Sequence, residues 1–468
     1  MALLIKNGEI VTADMRTYAD ILIDGETIHE IGPSLSAPSG AEIIDAKGKL
    51  IFPGFIDPHV HIYLPFMATF AKDTHATASK AALIGGTTTF IEMVCPNRNE
   101  DALDGYHLWK QKAEGNSACD YAFHMSVTRF DARTEAQLRE VVSDGTSSFK
   151  IFLSYKNTFG VTDEEMYHTL KLAASLGVVT TAHCENAELV GQLQQMLLAK
   201  GKTAAEWQEP SRPEAVEAEG TARFATFLET TGASGYVVHL SCAPALRAAV
   251  EAKLRGTKLH IESVLPHFLL DRTYTERASV EGMKYIMSPP LRHERNQAVL
   301  WTALEAGMID TVGTDHCPFD TDQKLLGTKA FTQIPNGIPG IEDRINLMYT
   351  YGVKRGRLNI HRFVDALSTT PAKIFGLYPR KGAISVGVDA DIVIYDPEYC
   401  GKIYAAHQYT NNDYNGFEGW VIEGRPSIVT VRGKVQVRDG KFVGEPGRGR
   451  MLKRSTLLAE TQEAVYAN

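Results

Sequence analysis

Gly54-Phe55-Ile56-Asp57-Pro58-His59-Val60-His61 is an apolar run that ends in two histidines separated by one residue. Successive side chains of a β-strand point to opposite faces, so His59 and His61 project the same way, within reach of one cation. Alone the spacing is a modest signal. It gains weight because later strand-like runs carry Lys150, His183, His239 and Asp315. Six candidate ligands from five strands predict a two-metal hydrolytic centre.

Outward from this stretch, strand-like and helix-like runs alternate. Strands are predicted at 55–61, 88–93, 121–126, 148–153, 178–183, 236–241, 258–263 and 311–315. Helical periodicity fills intervening stretches such as 164–176, 215–230, 244–254 and 297–306. A doubly wound open sheet would show the same alternation. The count of eight, with candidate ligands gathered at strand C-terminal ends, favours an α/β fold built as a (β/α)8 TIM-like barrel.

Both chain ends read differently. Short apolar runs at 3–6 and 21–23, with a hairpin turn at Asp24-Gly25, are echoed by runs at 391–396, 428–432 and 435–437. Short strands need partners to bury a face, so the two ends are read as one smaller composite β-sandwich. The predicted organisation is therefore residues 1–53 and 381–450 as the sandwich, 54–380 as the catalytic barrel, and 451–468 as a tail.

Length and charge narrow the class of function. A chain of 468 residues suits a barrel plus a smaller domain. A net charge of -8 argues against nucleic acid or an anionic membrane as partner. No apolar run approaches the roughly 18 residues needed to span a bilayer. The N-terminal residues turn polar too early for a secretion signal. The 6 cysteines show no Cys-x-x-Cys spacing, which predicts reduced thiols in a cytoplasmic protein.

Imidazole and carboxylate donors suit Zn2+, and the same set accepts Mn2+, Co2+ or Fe2+. Lys150 is the odd member, set among Phe149, Ile151 and Phe152. Neutralising a lysine of pKa about 10.4 at pH 7 costs roughly 4.6 kcal/mol, so the free amine is a poor ligand. Carbamylation by CO2 (N6-carboxylysine) would give a carboxylate-like group able to bridge two metals. A lysine paired with Asp315, or one snorkelling outward, is the alternative. Two metals sharing a water would bring its pKa to about 7. Asp315 would then act as general base and pass the proton to a leaving nitrogen. Cys317 has no histidine partner that the sequence can assign, and is read as pocket lining.

With these residues in place, the chain resembles the dihydropyrimidinase/hydantoinase branch of the amidohydrolase superfamily over nearly its whole length. The matching segments are Pro53–His61, Gly85-Gly86-Thr87-Thr88-Thr89, Ser148-Phe149-Lys150-Ile151-Phe152-Leu153-Ser154-Tyr155-Lys156-Asn157 and Ala182-His183-Cys184-Glu185-Asn186. Val238-His239-Leu240-Ser241-Cys242-Ala243, Ser288-Pro289-Pro290-Leu291-Arg292, Asp315-His316-Cys317 and Ile334-Pro335-Asn336-Gly337 continue the series. The resemblance implies one metal on His59, His61, carbamylated Lys150 and Asp315, and a second on Lys150, His183 and His239. It implies that Tyr155 donates to the substrate carbonyl as that becomes tetrahedral. It implies that Ser288 and Asn336 hold the cyclic –CO–NH–CO– unit through main-chain groups. The substrate it implies is a cyclic amide or imide, a 5,6-dihydropyrimidine or a 5-substituted hydantoin opened to an N-carbamoyl amino acid. A homotetramer is also implied, with the tail after Gly449 reaching a neighbour.

Leu64, Phe66, Phe152 and Phe159 are read as an apolar wall for the ring substituent, with plain packing as the alternative for each. The loop 64–69 has Met67 and Ala68 where relatives often carry paired glycines, which predicts a bulkier, stiffer lid. Rival activities are weighed on the same loop. Dihydroorotase motifs continue to an arginine that grips a carboxylate, whereas His61 is followed by Ile62-Tyr63-Leu64. Allantoinase is weakened by the apolar loop too. A non-catalytic scaffold relative would have lost ligands, and here all six positions are filled.

Overall fold

The computed structural model describes residues 2–156 and 158–458. Its centre is an eight-stranded sheet in which each strand pairs with the next, all in parallel. The strands are β1 (Phe55–Val60), β2 (Thr87–Val94), β3 (Asp120–Ser126), β4 (Ser148–Phe152), β5 (Val179–His183), β6 (Ser234–Val237), β7 (Leu259–Val264) and β8 (Thr311–Gly313). The sheet curls until its first and last strands meet. There the Asp315 amide donates to the His59 carbonyl at 3.0 Å and the His61 amide to the His316 carbonyl at 2.8 Å.

Strand alternation sorts side chains between two cores. Along β4, Phe149 and Ile151 join the large cluster beneath the surrounding helices, while Phe152 joins an inner cluster with Ile56, Ile91, Val179 and Tyr236. Lys150 shares the parity of Phe152 and so projects into the barrel. The helices carry their own local signals. Asp163–Leu176 starts at Thr162, whose side chain forms a capping box with Glu165, and ends at Gly177 in the left-handed conformation. Its buried Met166, Leu170 and Ala173 recur at helical spacing against the barrel.

The chain ends interleave. A four-stranded sheet holds Leu3–Lys6, Asp20–Asp24, Thr27–Gly32 and Glu42–Asp45. A seven-stranded sheet joins Glu9–Val11, Arg16–Tyr18 and Leu50–Pro53 to Ile392–Lys402, Val421–Val431, Lys434–Arg438 and Lys441–Phe442. The seam is the antiparallel pairing of Leu50–Pro53 with Ile392–Lys402. Ile5, Ile21, Ile23 and Ile51 from one end pack with Ile392, Ile394 and Ile428 from the other, so neither end could bury its face alone.

The structure moves two strand ends. The predicted strand 236–241 ends at Val237, and 311–315 ends at Gly313. His239 and Asp315 adopt φ of +41° and +52°, which no continuing strand tolerates, so both lie just past the sheet. The tail from Met451 to Leu458 lies on this chain's own barrel. Leu452 donates to the Tyr121 carbonyl, and Leu457 to that of Gly177. Residues 459–468 of the predicted tail lie outside the described residues. Among the described residues, no helix is long and apolar enough to cross a membrane.

Candidate metal centre and substrate cleft

The C-terminal ends of the strands surround a cleft. It is lined by His61, Lys150, His183, His239 and Asp315, by Tyr155, Ser288, Asn336 and Gly337, and by Leu64, Phe66, Phe152, Phe159 and Cys317. The metal-ligand, substrate-holding and wall residues named from the sequence all border this one space, apart from His59.

His59 and His61 face Asp315 together. Each Nε2 is 3.1 Å from the same oxygen, Asp315 Oδ1. The backbone that sets this meeting is pinned by Asp57, which accepts from the His59 amide at 3.2 Å, the Thr314 amide at 3.2 Å and the Thr314 hydroxyl at 2.7 Å. One carboxylate therefore locks the end of β1 to the end of β8. The imidazoles continue round the mouth: ring centres lie 5.3 Å apart for His61–His59, 5.5 Å for His59–His239 and 4.5 Å for His239–His183.

Lys150 is fully buried, and its Nζ has no hydrogen-bond partner. Neither the outward lysine nor a hydrogen bond to Asp315 is what the structure holds. Lys150 lines the same cleft as His61, His183 and His239, and its charge disfavours protonation of all four imidazoles. Burial pushes its pKa down to about 8, against the opposing pull of Asp315 and Glu262.

Two acids without an assigned role in the sequence orient the ring. Glu262 of β7 lies 2.8 Å from His59 Nδ1, and Glu185 lies 2.7 Å from His183 Nε2. Such partners fix which ring nitrogen faces a cation. Their effect shows in the two first-strand histidines. Burial depresses both, taking His61 down to about 4, but Glu262 and Asp315 overcome it at His59 and lift that imidazole to about 9. Burial also works against ionisation of Asp315, yet His59 and His61 outweigh it and hold the carboxyl well below its ordinary range. Glu185 was findable, since it follows His183 by two residues and so points the same way. Glu262 had no local signal.

The donor set fits divalent-metal binding. The imidazole nitrogens of His59 and His61 converge on Asp315 Oδ1, while His239 Nδ1 and Lys150 Nζ are buried without hydrogen-bond partners. His59, His61 and Asp315 place their ligand atoms within 4.8 Å of one another. Unsatisfied nitrogens at this depth are costly unless a ligand meets them.

Tyr155 follows β4 with φ of +57°, a strained conformation for a side-chain-bearing residue. Its ring packs 5.4 Å from Phe66 and 5.3 Å from His183, and its hydroxyl meets the side chains of Ser288 and Asn336. Asn336 Nδ2 and Gln208 Nε2 both donate to Ser288 Oγ, at 3.1 and 3.2 Å. Gly337 is required here: a Cβ would lie 2.2 Å from the Cys317 carbonyl oxygen. Burial, reinforced by Asp315, pushes the Cys317 thiol far up, so it stays protonated as lining.

The lid is a small hairpin, Pro65–Phe66 paired with Thr69–Phe70. Met67 and Ala68 form its turn at φ of +51° and +62°. A two-residue turn with both φ positive ordinarily takes glycine or asparagine. Phe66 stacks over Phe159 at 6.0 Å, bringing the lid against the far wall.

A model of the amidohydrolase family matches residues 50–436. The D-hydantoinase of Geobacillus stearothermophilus is 42% identical over 457 residues, covering 97% of this chain and 97% of its own. The dihydropyrimidinase of Dictyostelium discoideum is 37% identical over 455 residues, 97% of this chain and 90% of its own. A solved D-hydantoinase (dihydropyrimidinase) from Thermus sp. superposes with a TM-score of 0.96 at 74% identity, covering 97% of this chain and 99% of that one. Barrel, strand-end histidines and full-length likeness agree: the chain belongs to the amidohydrolase family, in its hydantoinase/dihydropyrimidinase branch.

Proposed function

We propose that this chain hydrolyses the ring C–N bond of a cyclic amide, opening 5-substituted hydantoins or 5,6-dihydropyrimidines to N-carbamoyl amino acids. The observation that carries the reading is a single cleft that holds the donor cluster, a phenol and an apolar wall. Of the two substrate types, 5-substituted hydantoins are the better fit, since Leu64, Phe66, Phe152 and Phe159 offer a substituent an apolar wall.

His59, His61, Asp315 and Lys150 would hold one divalent ion, and Lys150, His183 and His239 the other. Zn2+ suits these donors best, with Mn2+, Co2+ and Fe2+ as alternatives. When bound, the ions supply Lewis-acid polarisation and a nucleophile usable at neutral pH. Lys150 serves as a carbamate: its Nζ bonds to CO2 and loses a proton, and a pKa near 8 leaves part of the amine free to react. Asp315 takes the proton of the attacking water on its carboxylate and hands it to the departing ring nitrogen. Tyr155 donates its hydroxyl to the carbonyl oxygen as negative charge gathers there, and Ser288 and Asn336 orient the ring through the main chain. Six unpaired cysteines suit a cytoplasmic setting, and a homotetramer is the proposed assembly.

Hydrolysis of 5-phenylhydantoin and dihydrouracil by zinc-reconstituted enzyme, beside a chelator-treated control, tests the reading. Chelator-sensitive turnover favouring the phenylhydantoin is expected. Turnover of neither substrate, with two metals bound, refutes the substrate class.

A further inference from the structure

Lys324 ends the short helical segment Thr321–Lys324 and is completely buried. Its Nζ donates to three carbonyl oxygens: Pro335 at 2.7 Å, Gly337 at 2.8 Å and Ile286 at 3.1 Å. An ammonium has three N–H donors, so its whole capacity goes to main-chain acceptors. Those acceptors belong to the two segments that bring Ser288, Asn336 and Gly337 to the cleft. The segments also bind each other, through the Gly337 amide to the Ile286 carbonyl at 2.9 Å and Asn336 Nδ2 to Ser288 Oγ at 3.1 Å.

The charge is an unfavourable choice for a core position. Burial pushes the Lys324 ammonium down to about 7, with only the Cys317 thiol opposing it. A hydrophobic side chain of similar length would fill the space without desolvating a charge. What the ammonium alone can do is hold three carbonyls at once. It takes those of Pro335 and Gly337 and bypasses that of Asn336 between them.

We propose that Lys324 is a positioning residue for substrate, clamping segments 286–288 and 335–337 at the separation at which they grip the cyclic amide. It touches no reacting atom. The proposal rests on the substrate reading above, because it concerns the same main-chain groups. Such a clamp serves ground state and transition state alike, so its loss falls on KM rather than kcat.

The test compares metal-loaded wild type with Lys324→Met and Lys324→Gln, following 5-phenylhydantoin hydrolysis, metal content and hydrogen exchange of the peptide spanning 334–340. Lys324→Met should raise KM about tenfold to a hundredfold, as befits lost charged hydrogen bonds, with kcat within about threefold. Lys324→Gln keeps two N–H donors and should fall between Met and wild type. Metal content should be unchanged, and exchange should quicken at 334–340 without substrate present. If Lys324→Met does not fold, the glutamine variant carries the same comparison. A KM within twofold of wild type in the folded variants, or a loss confined to kcat, overturns the clamp. Failure of wild type itself to hydrolyse the hydantoin overturns the substrate reading instead, and unchanged exchange at 334–340 then overturns the clamp separately.

Discussion

Removing one oxygen from Tyr155 isolates its contribution to the reaction. Tyr155→Phe keeps the ring against Phe66, Phe152 and His183, so the rim packing survives. It deletes a hydroxyl that in the resting site meets Ser288 and Asn336. Those two side chains retain each other at 3.1 Å, so the substrate-holding segments stay tied and stability should change by about 1 kcal/mol or less. The loss should therefore appear where charge develops. Removing one such donor costs about 3–4 kcal/mol of transition-state stabilisation, a fall in kcat of roughly a hundredfold to a thousandfold. KM should move by less than about threefold, since the neutral carbonyl gains little from the phenol. Steady-state kinetics on 5-phenylhydantoin, with metal content matched between wild type and variant, reads both constants. A kcat within about threefold of wild type would refute the oxyanion role and leave Tyr155 as a packing residue.

Two further outcomes follow from the same geometry. Met67→Gly with Ala68→Gly relieves about 1 kcal/mol of left-handed strain at each turn position, but gives back a similar amount in unfolded-chain entropy. The melting temperature should hold steady while hydrogen exchange across the lid hairpin quickens and KM for 5-phenylhydantoin shifts; an unchanged exchange pattern would show that the turn does not set lid mobility. Glu185 is buried against His183 and Arg212, and although burial opposes it, the Arg212 guanidinium and His183 bring its carboxyl down from 4.5 to about 2. Because the folded value is the lower one, the stabilisation is complete above pH 4.5 and fades as pH falls through 2. Glu185→Gln should lose about 3 kcal/mol at pH 7 by urea denaturation, with the gap to wild type closing only below about pH 4.5. A gap that stays constant down to pH 3 would mean that the carboxylate charge is not what stabilises this pair.

How much of this was legible in the chain differs from residue to residue. His59 and His61 were readable because strand parity is local: two residues apart means one face, whatever the rest of the fold does. Lys150 announced itself by sitting in a strand among apolar residues, and Glu185 by following His183 two residues on. The lid was visible as a departure from the usual glycines, although its turn geometry was not.

Alternation of strand and helix, the parity of the ligands along each strand and the apolar periodicity of the helices follow from interactions within a few residues, and the sequence by itself determined these. Closure belongs to the tertiary structure. Asp315 reaches His59 and His61 only because β8 meets β1 around the barrel, a contact across more than half the chain that no local pattern encodes. The same holds for Glu262 behind His59 and for Lys324 beneath Pro335 and Gly337. His239 and Asp315 leave the ladder at positive φ because the barrel mouth over-determines their backbone, a strain that residue type alone does not foretell. Periodicity decides which way a side chain points; which distant side chain it finds there depends on how the layers pack.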